Sequence, residues 1–131
     1  MKHLNVIMYK SKFEVNVAKE FRQKGIKFEY EPETWEFTQP EKRRKYHPDF
    51  RIRTQTGITA FVETKGRLTS EDRKKLLWVR EQHPKKKLIL LFMNSSVTLT
   101  KASKTTYAEW AKKNGFEHYD FRFGLPKGWI K

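Results

Sequence analysis

In "SKFEVNVAKEFRQKG", Phe13, Val17 and Phe21 recur at four-residue spacing. That period predicts a helix with one apolar face. Ser11 fits its N-cap and Gly25 its C-terminal stop. Farther on, "KKLILLFM" is a continuous apolar run of strand length, which predicts a central strand covered on both faces. "ITAFVETKG" alternates instead: Ile58, Ala60 and Val62 fall on one face, and Phe61, Glu63 and Lys65 on the other. A partner strand, Asp49 to Arg53, precedes it across a turn around Gly57. "TSEDRKKLLWVREQHP" reads as a second helix, capped by Ser70, with Glu71 and Asp72 favouring its N-terminal dipole and Pro84 after its end. "KTTYAEWAKKNG" is a third, closed by Gly115, and a short strand follows.

Between the first helix and these strands lies "IKFEYEPETWEFTQPEKRRKY". It is charged, extended and interrupted by Pro32 and Pro40, more an arm or bridge than a core strand. The resulting order predicts a mixed α/β domain with helices against a small sheet. At 131 residues the chain fits a single domain.

Charge narrows the picture. The chain has 29 Lys+Arg against 15 Asp+Glu, a formal net charge of +14. So basic a balance favours a polyanionic partner, nucleic acid or an anionic membrane surface. No apolar run approaches the roughly 18 residues of a membrane span, and no secretory signal is recognisable. Cysteine is absent, and His3, His47, His83 and His118 are scattered without metal-ligand spacing. A soluble intracellular protein facing nucleic acid is the plain expectation.

One constellation offers chemistry. In the right register, pairing the strands would bring Asp49 near Glu63, whose face Lys65 shares. Two carboxylates at one sheet edge suit a hard cation such as Mg2+. Phosphodiester hydrolysis needs such a cation, and a lysine beside it can meet the charge that builds in the transition state. Gly66 lets a phosphate come close. The plainer alternative stands beside this: Glu-x-Lys as two solvated charges and Asp49 as a turn residue after Pro48. Glu14 has its own plain explanation, a capping box in which it bonds back to the Ser11 amide.

"KGIKFEYE", "YHPDF", "FVETKG", "DRKKLLWVREQHP" and the closing "WIK" together resemble the T7 endonuclease I family of Holliday junction resolvases, within the PD-(D/E)xK nuclease superfamily. The resemblance runs from about Ser11 onward. It implies a restriction-endonuclease-like mixed sheet flanked by helices, in a domain-swapped, intertwined homodimer with a β-bridge. Residues 11–28 would be the exchanged helix, 29–46 the bridge and 47–131 the catalytic core of one nuclease domain, 1–131. It further implies Asp49, Glu63 and Glu14 as metal ligands, Lys65 as the catalytic lysine, Mg2+ or Mn2+ as cofactor, and branched DNA, four-way junctions above all, as substrate. The location implied is the cytoplasm, that of the host if the gene is a phage's. Each site would mix Glu14 of one chain with Asp49, Glu63 and Lys65 of the other.

Among the basic residues, Arg67, Arg73, Lys74, Lys101, Arg43 and Arg44 are the candidates for phosphate contact. His47 and Val97 depart from the family pattern, at a threonine and at a basic position; His47 reads either as a surface residue or as a second base. The family's basic C-terminal tail is not matched. Two competing readings remain, a non-catalytic basic DNA-binding protein and another nuclease of the superfamily, such as a mismatch or restriction enzyme.

Overall fold

The computed structural model describes residues 7–39 and 42–129. Pro40 and Glu41 of the expected bridge lie outside the described residues, as do His3 and the last two residues of "WIK".

Helix α1 spans Lys12–Gln23, and Ser11 caps it, accepting the Glu14 amide at 3.1 Å. The anticipated stripe is the one that packs: Val17 and Phe21 are fully buried and Phe13 partly. The chain continues through β1 (Phe28–Tyr30), β2 (Trp35–Gln39), β3 (Lys42–Tyr46), β4 (Phe50–Arg53) and β5 (Thr59–Lys65). Then come α2 (Ser70–Gln82), β6 (Leu88–Phe92), α3 (Tyr107–Lys113) and β7 (Glu117–Asp120), followed by 3-10 turns at Phe121–Phe123 and Lys127–Trp129.

The main sheet has the order β1-β4-β5-β6-β7. Its β1, β4 and β5 are antiparallel neighbours, whereas β5, β6 and β7 run parallel. Both faces are covered. On one, α1 packs Val17, Ala18 and Phe21 against Phe50, Ala60, Val62, Ile89 and Leu91. On the other, Leu76 and Val79 of α2 and Trp110 of α3 pack against Phe61, Leu90 and Phe92. This sandwich explains why β6 is apolar throughout: all five of its residues are buried.

Three expectations change. First, β5 lies in mid-sheet and is buried on both faces, so its Phe61 face is as much core as its Val62 face. Ile58 is not part of that core; it precedes the strand and is 47% exposed. Second, the cap of α2 is Thr69 rather than Ser70, with a reciprocal capping box to Asp72. Third, the arm is not one piece. Its start is strand β1, paired with β4 through Phe28↔Ile52 and Tyr30↔Phe50. The chain leaves β1 at Glu31, which takes a left-handed conformation (φ 47°) and donates its amide to the Asp49 carbonyl at 2.7 Å. Only β2 and β3 stand apart, as a separate antiparallel pair whose Trp35, Phe37 and Tyr46 join the α2 side of the core.

Candidate active site

The site forms where β4 begins and β5 ends. Register Phe50↔Val62 sets Asp49 beside the Glu63–Thr64 stretch. One Asp49 oxygen, Oδ2, accepts both the Thr64 amide (2.8 Å) and the Thr64 hydroxyl (2.9 Å). Glu63 is buried; its Oε1 accepts the Tyr46 hydroxyl at 2.6 Å and its Oε2 lies 3.2 Å from the Lys65 ammonium. That ammonium also reaches Asp72 Oδ1 at 3.3 Å. Asp72 therefore does two jobs, capping α2 and gripping the lysine of β5.

Glu14 arrives from α1 in the same chain. Its carboxylate does not close a capping box on the Ser11 amide. Oε1 accepts instead the Lys10 amide at 2.9 Å and the Tyr30 hydroxyl at 2.8 Å. Glu14, Asp49, Glu63 and Lys65 line one cavity of about 370 Å³, together with Gly66, Arg67, Phe13 and Met93. A larger groove of about 460 Å³, between β1 and β4, contains none of these four residues. Gly66 leaves less room than a bare backbone suggests, because an added Cβ would sit 3.3 Å from the tip of Met93.

The electrostatics follow from burial. Asp49 is pushed up to about 9, first by desolvation, then by the charge of Glu63 and by Glu14, against the Thr64 amide that favours the anion. Burial works to lower Lys65, but Glu63 and Asp72 outweigh it and the net shift is upward, so the ammonium persists. Burial likewise opposes the Asp72 anion, yet Lys65 and Thr69 hold its pKa below the usual range. Burial and the Glu63 charge push the Tyr46 hydroxyl well up, which keeps it a donor.

Among the described residues, no three His, Asp or Glu side chains make a ready-made ligand cluster. Glu14 stands on the same cavity wall as Asp49 and Glu63, with its Oε1 taken up by Lys10 and Tyr30 and its carboxylate close enough to raise the Asp49 pKa. The Asp49–Glu63 pair still fits Mg2+, which is commonly held by one or two carboxylates and keeps several waters. The raised Asp49 agrees with this fit: desolvation and the neighbouring Glu63 and Glu14 disfavour its anion, and a cation would favour it.

The basic candidates separate. Arg67 is exposed on the cavity's rim. Arg73 is partly buried and donates to the Leu68 carbonyl at 2.9 Å, which ties it to the loop before α2. Arg44 and Lys74 face a second groove of about 430 Å³ with Phe37, Lys75, Trp78 and Asp72. Arg43 meets Glu36 across the hairpin at 3.3 Å, an exposed pair of little worth. Lys101 and Val97 are on the segment between β6 and α3, neither lining the cavity. His47 is exposed, with Nδ1 3.0 Å from the Thr34 hydroxyl, and does not line the cavity either.

Tyr46, Thr64, Asp72 and Tyr30 hold the site's acids and lysine in place, and none stood out in the sequence as a site residue. A tyrosine closing a basic strand and an aspartate opening a helix carry no local sign that they meet a carboxylate or a lysine from elsewhere.

A half-buried aspartate beside a buried glutamate, with a fixed ammonium, at the mouth of a mixed sheet is the equipment of a hydrolase that works on phosphodiesters. The chain belongs to the phage endonuclease I family, whose sequence profile matches residues 1–131. It is 42% identical over 123 residues to Endonuclease I of Escherichia phage T7, spanning 94% of this chain and 78% of that protein. It is also 44% identical over 107 residues to Endodeoxyribonuclease 1 of Enterobacteria phage T3, covering 82% and 68% respectively.

Proposed function

We propose that this chain is a Mg2+-dependent endodeoxyribonuclease that cuts branched DNA, four-way junctions foremost, and acts as a homodimer with exchanged arms. The observation that carries it is the convergence of Glu14, Asp49, Glu63 and Lys65 on one cavity. The family and the net charge of +14 agree with a DNA substrate. A protein that only binds DNA has no need of carboxylates lining a cavity that faces phosphate, which disfavours the non-catalytic alternative.

Asp49 and Glu63 are the residues that would hold the metal, with Glu14 as a further acid on the cavity wall. When bound, Mg2+, or Mn2+ in its place, polarises a phosphoryl oxygen and lowers the pKa of an attacking water. Lys65, kept charged by Glu63 and Asp72, contributes an ammonium where negative charge grows on the phosphate rather than a proton acceptor. Tyr46 fixes the direction of the Glu63 carboxylate. Arg67 supplies a phosphate contact at the rim, and Arg44 and Lys74 extend the basic surface beyond it.

The exchange of arms draws support from the β2–β3 connection. Only Pro40 and Glu41 separate these strands. Opening this connection lets α1, β1 and β2 make the same contacts with a second copy that they make within one chain. Glu14 would then meet the partner chain's acids. Two sites related by a two-fold axis match the approximate symmetry of a four-way junction.

The test is incubation with a synthetic four-way junction and with a sequence-matched duplex, in Mg2+ and in EDTA. Cleavage of the junction in Mg2+ alone is expected. Cleavage in EDTA, or equal cutting of the duplex, overturns the reading.

A further inference from the structure

Phe123 is 83% exposed, a large aromatic left almost wholly in water. Its backbone is firmly held. It ends the 3-10 turn Phe121–Phe123, which closes on Gly124 (φ 81°), whose amide donates to the Phe121 carbonyl at 3.0 Å. Asp120, just before the turn, accepts the Arg122 amide at 2.9 Å and its guanidinium at 2.8 and 3.0 Å. The same carboxylate accepts the Ser95 amide and hydroxyl, both at 2.8 Å. Arg122 is thereby fixed with its guanidinium carbon 5.4 Å from the centre of the Phe123 ring.

The location is as telling as the exposure. Strands β5, β6 and β7 are parallel, so they end at one edge of the sheet, where ligands of such sheets commonly bind. Lys65 lies opposite Phe92, and Phe92 opposite Asp120. Asp120 is therefore two strand spacings, roughly 10 Å, from Lys65. Phe121 also packs edgewise on Phe13, at 5.5 Å between ring centres, and Phe13 lines the candidate catalytic cavity.

We infer that Phe123, backed by Arg122, is a stacking platform for a nucleobase left unpaired or unstacked at the branch of the DNA substrate. The inference rests on the reading of the chain as a nuclease of branched DNA. An aromatic face accepts any base, and the guanidinium beside it, held by Asp120, backs the ring. A continuous duplex hides its base faces within its own stack, whereas a branch point presents them. The platform would thus favour branched over plain DNA without reading sequence. A protein partner fits less well, because one ring flanked by charge is far smaller than a stable protein interface.

The test uses the full-length protein in Ca2+ or EDTA, with a four-way junction carrying 2-aminopurine at the branch point. Wild-type protein is expected to quench that fluorescence. Phe123→Ala should lose the quench and bind the junction roughly 5- to 150-fold more weakly. Its affinity for a matched duplex, its melting temperature and its oligomeric state should be unchanged, and Phe123→Trp should restore the quench. Wild-type quench and affinity in Phe123→Ala overturn the inference, as does an equal loss on duplex or a change of oligomeric state. A wild-type protein that binds junction no better than duplex is a separate result: it removes the branched-DNA reading itself.

Discussion

At Asp49, two demands meet. Thr64 offers two hydrogen bonds to its carboxylate, yet burial and the charge of Glu63 resist ionisation. Its pKa is raised from 3.8 to about 9, so the folded protein keeps a proton that the unfolded chain releases. Without a divalent cation, stability should therefore fall as pH rises through that window. Asp49→Asn keeps an acceptor for Thr64 and removes the ionisation. In EDTA the variant should be more stable than the wild type by at least about 1 kcal/mol at pH 7, with a gap that widens from pH 5 to pH 8. Thermal melts across that range check this, and a variant less stable at pH 8 contradicts it. The acids and the lysine were legible from strand alternation, since Asp49, Glu63 and Lys65 needed only a register to meet. Their partners were not. Tyr46 acts through its hydroxyl and Thr64 through its hydroxyl and amide, groups that look alike in any sequence whether solvated or buried.

At the scale of elements, α2 links its own start to the end of β5. Thr69 and Asp72 cap each other, and Asp72 also holds Lys65. Two substitutions separate these roles. Thr69→Ala loses a cap, costing about 1 kcal/mol, but spares the Lys65 contact. Asp72→Asn keeps an acceptor for the cap and removes the charge that helps raise Lys65. Asp72→Asn should slow cleavage about tenfold or more and move the alkaline limit of activity to lower pH. Thr69→Ala should lower the melting temperature and leave the rate alone. Rate–pH profiles of both decide the matter, and unchanged profiles would refute the positioning role. Helix α1 was readable from its four-residue apolar period, α2 and α3 from their capping and stop residues, and β6 from its unbroken apolar run. The N-cap of α2 was misplaced by one residue, since Thr69 and Ser70 are both good caps and only the bond to Asp72 chooses. The division of the arm was hidden for a different reason: β1 is three residues long, and its membership of the main sheet depends on β4.

At the scale of the molecule, the arrangement of chains sets the last questions. If Glu14 is exchanged, Glu14→Ala and Lys65→Ala homodimers are both inactive. Refolding them together should produce heterodimers in which one site is intact and the other doubly defective. Nicking of one strand should then reappear, while mixing without unfolding restores little. Continued inactivity after verified heterodimer formation contradicts the exchange. Beneath that question lies the claim that this cavity cuts DNA at all. Its most direct measurement is single-turnover cleavage of a four-way junction in Mg2+ by the wild type, Glu63→Gln and Lys65→Ala. Junction binding and melting temperature are measured on the same preparations. Glu63→Gln is preferred to alanine because it leaves the buried Tyr46 hydroxyl an acceptor. Both variants should cut at least about a hundredfold more slowly while folding and binding the junction as well as the wild type. Either variant cutting near the wild-type rate would contradict the account.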